Sequence, residues 1–326
     1  MKIAVLGAGA WGTALANLLC ANKNDVTLWG HDPEHLLAAQ RAGCNERYLP
    51  GIKLCSALKL ETDLAKAISE TDVVVIAVPS KFFRAVTEKI SQFGGVAVSV
   101  TKGIEYETGR TMSALLKSTM PKATAAALSG PTFAVEIARE LPGAAVIAQA
   151  DAAVAQRVQL LFNRPTFRVY TSSDVLGVEL GGALKNVVAI AAGIGDGLGF
   201  GDNSKAALVT RAIAEIRRLG VACGANAETF SGLSGLGDLT LTCFSTQSRN
   251  HTFGERIGRG ETAEQILSSV ITVAEGYPTA RSAFQLARKL KVETPIIDEV
   301  HAMLYENKNV RQAVHDLMSR DLKPED

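Results

Sequence analysis

The chain has 326 residues, which is more than one hydrophobic core usually serves, so its length predicts two domains. Its 34 lysines and arginines nearly balance its 33 aspartates and glutamates, and the net charge of +1 excludes a general attraction to nucleic acid or to an anionic membrane surface. Any site for an anionic ligand must therefore be local.

The first thirty residues have the pattern of a strand, a glycine turn, a helix and a second strand. Residues 2–6 are a short apolar run typical of a buried strand, residues 13–20 repeat apolar side chains at helical spacing, and residues 25–29 form the second strand. The turn reads GAGAWG, a GxGxxG sequence that starts at Gly7. In this context the motif is typical of a dinucleotide-binding βαβ unit rather than of an ordinary glycine turn.

Each glycine of the turn has its own predicted role. Gly7 permits the tight turn, Gly9 lets a pyrophosphate approach the backbone, and Gly12 lets the helix pack close to the strand. The helix N-terminus adds free N–H groups and the positive end of the helix dipole. The turn therefore predicts a site for NAD or NADP.

The residues after the second strand leave the choice between NAD and NADP open. An acid near the end of this strand accepts the adenosine ribose hydroxyl of NAD, whereas an arginine suits the 2′-phosphate of NADP. Here Gly30, His31 and Asp32 follow the strand, and Pro33 begins a helix predicted to run to about residue 42. Asp32 suits either the ribose or the N-cap of that helix.

Strands and helices continue to alternate to about residue 170. Apolar strands are predicted at 73–78, 96–100, 125–128, 144–148 and 167–170, with helices at 83–90, 111–118 and 152–161. Such alternation predicts an α/β fold, namely a Rossmann-type, mostly parallel sheet covered by helices on both faces.

Ligands of such sheets bind beyond the carboxyl ends of the strands. Three predicted strand ends carry small or polar residues: Pro79-Ser80, Thr101-Lys102-Gly103 and Gly130-Pro131-Thr132. Small residues allow a ligand close to the backbone, and Lys102 supplies a positive charge. We therefore favour a ligand contact for Lys102 over the alternative of a solvated loop lysine.

The pattern changes after about residue 172. No clear strand follows, and residues 204–219 are apolar around the helix circumference, which predicts a buried helix that Gly220 ends. Further helices are predicted at 263–269, 279–290, 296–305 and 310–319. We therefore expect a Rossmann domain at 1–172 and an α-helical domain for substrate and catalysis at 173–326.

The chain has five cysteines: Cys20, Cys44, Cys55, Cys223 and Cys243. Their odd number and the lack of a CxxC motif or a Cys/His cluster argue against a disulfide framework and against a metal site, and they fit a reducing cytosol. The N-terminal apolar run is too short for a signal peptide. Two charged residues interrupt the apolar stretch 175–194, so we expect no membrane insertion and a cytoplasmic protein.

Lys185 is the only cation in a long apolar segment whose centre reads LGGALKNV. Apolar surroundings disfavour the charged form of a lysine, which prepares it to act as a general base. The neighbouring glycines would let a cofactor or substrate approach the helix. The alternative is a lysine that extends to the surface, and this segment by itself leaves both open.

Three polar or glycine-rich stretches follow. Residues 195–204 form either a lid or a plain connection. Residues 231–238 form a turn whose last residue, Asp238, either orients a lysine or caps a helix. The segment QSRNH groups hydrogen-bond donors, and Arg249 within it suits a phosphate through its planar guanidinium, although a polar surface loop has the same composition.

Together these motifs resemble the bacterial NAD(P)-dependent sn-glycerol-3-phosphate dehydrogenase family. The matching segments are GAGAWGTALA, LWGHD, VPS, TKGIE, SGPTFA, GGALKNV, GLGDL, TCFSTQSRN and VAEGY, from residue 7 to about 277. GGALKNV with GLGDL and QSRN distinguishes this family from other dehydrogenases that have a helical second domain. The resemblance implies a cytoplasmic homodimer that interconverts sn-glycerol 3-phosphate and dihydroxyacetone phosphate, supplying glycerol 3-phosphate for phospholipid synthesis.

The resemblance also implies a role for individual residues. Lys185 matches the general base. Within a mechanism built on that match, we expect Asp238 to orient Lys185 or the substrate hydroxyls and Lys102 to stabilise the developing oxyanion, which makes them the other candidate catalytic residues. The implied substrate contacts are Lys102, Gly130, Thr132, Lys185, Asp238, Ser248, Arg249 and Asn250. The implied cofactor contacts, with the glycines of the turn, are Gly7, Gly9, Ala10, Trp11, Gly12, His31, Tyr48, Lys102, Ala134, Arg249, Val273 and Glu275. Thr132 and Ala10 stand where many members have serine, so a hydroxyl is kept at the first position and lost at the second.

Two other functions fit parts of the sequence. A dehydrogenase of the β-hydroxyacid or ketopantoate type shares the architecture and a central lysine, but we do not expect QSRN with GLGDL in it. A non-catalytic NAD(P) sensor would bind the cofactor without turnover. The sensor gives no reason for a buried lysine, an acid and a phosphate-binding cluster to occur in one chain.

Overall fold

The computed structural model describes residues 1–106, 108–269, 274–322 and 324–325. The chain forms two compact units. Unit 1 comprises Met1–Glu105 and Arg110–Glu179, and unit 2 comprises Tyr106–Gly109 and Leu180–Asp326. The division falls inside a long helix that begins at Val175, just after the boundary expected from the sequence.

Unit 1 contains a single eight-stranded sheet. Its strands are β1 (Lys2–Leu6), β2 (Asp25–Trp29), β3 (Lys59–Glu61), β4 (Val73–Ile76), β5 (Val96–Ser99), β6 (Thr124–Ser129), β7 (Gly143–Ala148) and β8 (Phe167–Ser172). They lie in the order β3-β2-β1-β4-β5-β6-β7-β8. Neighbouring strands are parallel except β6 and β7, which are antiparallel.

Hydrophobic clusters cover both faces of this sheet. The helices around it are α1 (Ala10–Ala21), α2 (Pro33–Ala42), α3 (Leu64–Ala67), α4 (Ser80–Glu88), α5 (Met112–Thr119), α6 (Ala134–Ala138) and α7 (Ala152–Phe162). Along β4 the side chains alternate between the two clusters, and all four are fully buried, which explains the continuous apolar run. The predicted Rossmann-type sheet is confirmed. β3, α3 and α6 were not predicted because three to five residues carry too little periodicity.

The rest of the chain is helical. The helices are α8 (Val175–Gly197), α9 (Asp202–Ala222), α10 (Asp238–Phe244), α11 (Arg249–Gly258), α12 (Ala263–Ser269), α13 (Gly276–Leu290), α14 (Pro295–Tyr305) and α15 (Val310–Met318). A 3₁₀ turn at Ala227–Ser231 and a π-helical turn at Leu233–Gly237 precede α10. The predicted helical second half is therefore confirmed for the part of it that the structure describes.

The prediction of a buried helix at 204–219 is wrong. α9 is amphipathic, and its alanines 206 and 207 are exposed together with Arg211 and Arg217. Exposing a small apolar side chain to solvent costs little free energy. The exposed alanines therefore made the sequence of this helix look apolar around its whole circumference. Gly220 does not end α9 either, because it lies inside the helix, where an added Cβ would overlap the Phe230 ring.

The interior helix is α8. By length and composition α8 could cross a membrane, but 83% of its most apolar window is buried inside the protein, which is the burial of a core helix. Two of its charged residues, Glu179 and Lys185, are buried as well, at 7% and 6% exposure. Buried charges of this kind require partners in the protein.

One disulfide departs from the sequence-based expectation. Cys20 near the end of α1 is joined to Cys55 in the loop between α2 and β3. The two cysteines are 35 positions apart, and no spacing rule in a single sequence indicates such a pair. Cys44, Cys223 and Cys243 are free thiols.

Candidate active site

The glycine turn of unit 1 connects β1 to α1. Gly7 has φ of +118°, and a Cβ there would lie 2.7 Å from the Ala77 carbonyl oxygen. A Cβ on Gly12 would overlap the Gly7 carbonyl oxygen, whereas a Cβ on Gly9 would meet nothing within 4 Å. Gly7 and Gly12 are therefore required by the protein's own packing. Gly9 faces open space, which fits its predicted role of admitting a ligand.

The start of α1 suits the phosphates of a dinucleotide. Gly9 is its N-cap, no side chain caps it, and its first turn contains no acid. The first N–H groups of a helix have no partner within the helix, and together with the helix dipole they attract anions. The Trp11 Nε1 is buried without a hydrogen-bond partner among the described residues, which leaves one more donor available. Ala10 contributes only its backbone.

Asp32 is the N-cap of α2. Its Oδ1 accepts a hydrogen bond from the His35 N–H at 3.1 Å, and its Oδ2 forms an ion pair with Arg47 at 3.2 Å. The capping hydrogen bond and Arg47 lower the pKa of Asp32. His31 beside it is exposed, and Tyr48 is half-buried with its ring edge-on to His35 at 5.0 Å between centroids. Asp32 therefore has the N-cap role that was one of its two predicted roles.

The strand ends of unit 1 bring Lys102, Gly130 and Thr132 together. The Lys102 Nζ donates to the Gly130 carbonyl at 2.7 Å and to the Thr132 Oγ1 at 3.3 Å. Gly130 has φ of +140°, and a Cβ there would lie 2.9 Å from the Cα of Ala145, so internal packing already requires this glycine. Ala134 begins α6 two residues after Thr132. Lys102 is therefore held in place rather than extended into solvent.

The glycines of α8 allow it to pack closely against other elements. A Cβ on Gly181 would lie 2.6 Å from the Ser234 carbonyl oxygen, in the π-helical turn before α10. A Cβ on Gly193 would overlap the His251 carbonyl oxygen of α11. The expectation that the glycines beside Lys185 admit a ligand is therefore wrong for Gly181. The close contact at Gly181 instead places α8 beside the start of α10, and the contact at Gly193 places it beside α11.

Lys185 and Asp238 meet at this contact. The Lys185 Nζ donates to the Asp238 Oδ1 at 2.6 Å and to the Thr242 Oγ1 at 2.6 Å. Lys185 is 6% exposed and Asp238 is 1% exposed, so the alternative of a surface lysine is wrong. The carboxylate stabilises the ammonium form, and burial opposes this effect. The sequence suggested a lysine isolated in apolar surroundings. The structure instead places a carboxylate and a hydroxyl beside it.

Two neighbours complete this cluster. Thr242 lies one turn after Asp238 on α10, and its hydroxyl donates to the Asp238 carbonyl at 2.6 Å. Burial raises the pKa of the Cys243 thiol to about 12, so that this residue stays neutral beside the ion pair. Asp238 does not cap α10, since its carboxylate is directed to Lys185.

The QSRN segment leads into α11. The Ser248 Oγ caps this helix by accepting a hydrogen bond from the His251 N–H at 3.2 Å. Arg249 is the first residue of the helix; it is exposed and has no ion pair among the described residues. The first turn contains no acid. An exposed guanidinium at a helix N-terminus is suited to a phosphate group.

Both the nitrogen and the oxygen of the Asn250 side-chain amide form hydrogen bonds within the protein. Its Nδ2 donates to the Asn186 Oδ1 at 2.8 Å, and its Oδ1 accepts from the Gly276 N–H at 2.8 Å. Asn186 follows Lys185 on α8, and Gly276 begins α13 directly after Glu275, the N-cap. Val273, another expected cofactor contact, lies outside the described residues.

Sequence reasoning did not single out Thr242 and Asn186. Asn186 is adjacent to Lys185 within GGALKNV, and Thr242 lies four residues after Asp238, a spacing that places both on one face of a helix. A helix prediction starting at Asp238 would have identified Thr242. The glycine-rich residues before it indicated a turn instead.

Both halves of the chain match family models. Residues 2–155 match the model described as NAD-dependent glycerol-3-phosphate dehydrogenase N-terminus, and residues 174–315 match the model for its C-terminus. The glycerol-3-phosphate dehydrogenase [NAD(P)+] of Citrifermentans bemidjiense is 50% identical, covering 99% of this chain and 98% of that protein. That of Geobacter sulfurreducens is 48% identical over the same shares.

A solved structure agrees with these matches. The crystal structure of glycerol-3-phosphate dehydrogenase from Coxiella burnetii is 36% identical and has a TM-score of 0.94. The match covers 98% of this chain and 99% of that one. The similarity therefore extends over sheet and helices alike.

Proposed function

The chain belongs to the NAD-dependent glycerol-3-phosphate dehydrogenase family, and on that premise we propose that it interconverts sn-glycerol 3-phosphate and dihydroxyacetone phosphate with NAD or NADP. The observation that supports this proposal most directly is the buried ion pair of Lys185 and Asp238, whose Nζ and Oδ1 atoms are 2.6 Å apart. A lysine in this setting can exchange a proton with a substrate oxygen. The proposed reaction needs one such group.

Lys185 is the proposed acid–base residue. In the reduction of the ketone, the Lys185 ammonium donates a proton to the oxygen of the carbinol that forms, and the lysine becomes neutral. In the oxidation, neutral Lys185 accepts that proton. Asp238 and Thr242 hold the Nζ in place, so the lysine does not have to be oriented during the reaction.

Unit 1 is proposed to hold the dinucleotide at its glycine turn. This placement is supported by the open space at Gly9 and by the Trp11 Nε1, for which the described part of the chain offers no hydrogen-bond partner. His31, Tyr48 and Ala134 are further proposed contacts, with Glu275 and Val273 in the second half of the chain. Bound NAD(P)H would supply the hydride that reduces the carbonyl carbon.

The phosphate of the substrate is proposed to bind Arg249 at the start of α11. Its exposed side chain and the helix N-terminus together supply donors and positive charge in a chain that has almost no net charge. Ser248 and Asn250 shape this site, while Lys102, Gly130 and Thr132 are proposed further substrate contacts. Binding energy from the phosphate, which does not react, would orient the carbinol carbon.

The proposed homodimer, the cytoplasmic location and the supply of glycerol 3-phosphate for phospholipid synthesis rest on the family resemblance alone. Sedimentation of the purified protein measures the first of these directly, and a species of one chain mass would contradict it.

A spectrophotometric assay at 340 nm tests the reaction. Dihydroxyacetone phosphate should oxidise NADH or NADPH, and dihydroxyacetone, which lacks the phosphate, should not. The ratio of the two rates decides the cofactor preference. If both cofactors bind and neither is oxidised, the substrate assignment is wrong; a ketopantoate-type substrate or the sensor function then explains the chain better.

A further inference from the structure

The loop between α2 and β3, residues 43–58, is attached to α1 along its length. Near its start, Asn45 reaches the beginning of α1, and near its end Asn17 of α1 reaches the loop backbone. The disulfide between Cys20 and Cys55 adds a covalent connection. All of these residues belong to unit 1.

Asn45 is the most buried polar residue of this loop, with 2% exposure. Its Nδ2 donates to the Ala8 carbonyl at 2.9 Å and to the Thr13 Oγ1 at 2.8 Å. Its Oδ1 is 2.8 Å from the His35 Nε2 and accepts from the Tyr48 N–H at 3.3 Å. The amide therefore uses its full capacity of two donated and two accepted hydrogen bonds.

The contact with Ala8 fixes the direction of a peptide in the glycine turn. Ala8 is followed by Gly9, whose φ can vary widely at little cost. In a trans peptide the C=O and the next N–H point in opposite directions, and the described residues contain no cis peptide. Because Asn45 holds the Ala8 carbonyl toward the interior, the N–H of Gly9 must point away from it.

The surroundings of Gly9 are open, since an added Cβ there meets no atom within 4 Å. A peptide rotated the other way would direct the Ala8 carbonyl outward and place a negative dipole end beside an approaching phosphate. The turn alone does not exclude that rotation. Asn45 excludes it by occupying the Ala8 carbonyl.

We propose that Asn45 is a positioning residue for the dinucleotide site, holding the Ala8–Gly9 peptide so that the Gly9 N–H is available to the pyrophosphate. It does not itself contact the cofactor. The proposal rests on the proposed function only for the identity of the ligand as NAD(P). A residue that lies outside the glycine motif thereby determines how well the motif binds.

Asn17 provides a matched control. Its Nδ2 donates to the Lys53 carbonyl at 2.9 Å and its Oδ1 accepts from the Cys55 N–H at 3.0 Å, so it joins the same loop to the same helix. Neither of these two hydrogen bonds involves the glycine turn. A variant of Asn17 therefore loosens the loop without freeing Ala8.

The test is the affinity for NADH without substrate, measured by titration calorimetry on wild type, Asn45→Ala, Asn45→Asp and Asn17→Ala. Asn45→Asp keeps the size and the acceptors but loses the two donated hydrogen bonds. We expect both Asn45 variants to bind NADH at least about tenfold more weakly, and Asn17→Ala to remain within about twofold. The thermal unfolding midpoint of each variant shows which of them fold.

The KM values separate positioning from general damage. At saturating NADH, the Asn45 variants should keep the wild-type KM for dihydroxyacetone phosphate while the KM for NADH rises. Wild-type NADH affinity in folded Asn45→Asp overturns the proposal, and so does equal weakening by Asn17→Ala. Wild type that binds NADH without turnover contradicts the proposed reaction and leaves the comparison of affinities intact; wild type that binds no dinucleotide overturns both.

Discussion

The glycine turn of unit 1 and the lysine cluster of unit 2 differ in the chemical groups from which they are built. The turn has no charged side chain, and its donors are backbone N–H groups at the start of α1 together with the Trp11 Nε1. The cluster is built from the side chains of Lys185, Asp238 and Thr242, which come from two helices. In the proposed function the first region provides the geometry for binding the dinucleotide, and the second provides the proton.

This difference teaches where each property is encoded. The shape of the turn depends on residues that are neighbours in sequence, so a motif describes it. In the lysine cluster, Lys185 is separated from Asp238 by 53 positions and from Thr242 by 57 positions. The cluster therefore depends on the close approach of α8 to the turn before α10. We therefore expect substitutions in the cluster to abolish chemistry and substitutions in the turn to weaken binding.

Lys185→Ala gives the sharpest test of that separation. Removing the acid–base group should lower turnover by about 10³-fold, since general acid–base catalysis contributes on this scale, while the affinity for NADH stays within about twofold. Turnover is measured at 340 nm and affinity by calorimetry.

Lys308→Ala is the matched control for this variant. Lys308 lies in unit 2 and pairs with Glu299 and Asp316, each at 2.6 Å, but it is not part of the proposed site. It should keep wild-type turnover. Turnover retained by Lys185→Ala would remove the lysine from the mechanism.

Two glycines of one motif should respond differently to alanine. A Cβ on Gly12 overlaps the Gly7 carbonyl, so Gly12→Ala should destabilise the fold by about 3 kcal/mol. Gly9 has φ of −77° and open space, so Gly9→Ala should fold normally and bind NADH about tenfold more weakly.

Urea unfolding and NADH titration separate these two effects. The comparison would fail if Gly9→Ala lost stability as Gly12→Ala does, because Gly9 would then serve packing. It would also fail if Gly9→Ala bound NADH as tightly as wild type.

Unit 2 should show a pH dependence of stability at a second buried acid. Glu215 of α9 accepts hydrogen bonds from the Ile296 and Ile297 N–H groups at 3.0 and 2.9 Å, and burial raises its pKa from 4.5 to about 7. Between these values the unfolded chain releases the proton first. Stability from this group is therefore present below about pH 4.5 and falls as the pH rises, by about 2 kcal/mol between pH 5 and 7.

The variant Glu215→Gln should lose that slope, although it also loses one acceptor at every pH. Urea unfolding of both proteins at pH 5 and pH 7 measures the slope, and Glu264→Gln, an exposed acid on α12, is the control. Equal slopes in wild type and Glu215→Gln would show that Glu215 is ionised across this range.

Much of the fold was readable because its periodicity is strong. β1, β2 and α2 begin and end at the residues that the pattern predicts, since buried strands are continuous apolar runs and Pro33 marks a helix start. α9 was misread because exposed alanines look like core residues in a one-dimensional pattern. The disulfide of Cys20 and Cys55 was missed because no local signal pairs them.

The candidate site divides in the same way. The three glycines were identified from spacing alone, and the structure gives Gly7 and Gly12 the internal packing reasons that the motif implies. For Lys185 the sequence showed an unusual cation and could not decide whether it was buried. Its partner Thr242 was missed because the glycine-rich residues before Asp238 indicated a turn rather than the start of a helix. The contacts of Asn45 could not be predicted, because hydrogen bonds between distant residues leave no periodic trace.

By itself the sequence determined the sheet, the helical second half, the dinucleotide motif and the family, because each depends on local order or on short motifs. Only the tertiary structure decided that Lys185 is buried against Asp238, that Asp32 is used as a cap, and that Asn45 holds the Ala8 carbonyl. These are contacts between segments that the chain brings together only when its helices and loops pack. Packing determines which side chains become hydrogen-bond or ion-pair partners, and these partners cannot be predicted from the order of residues along the chain.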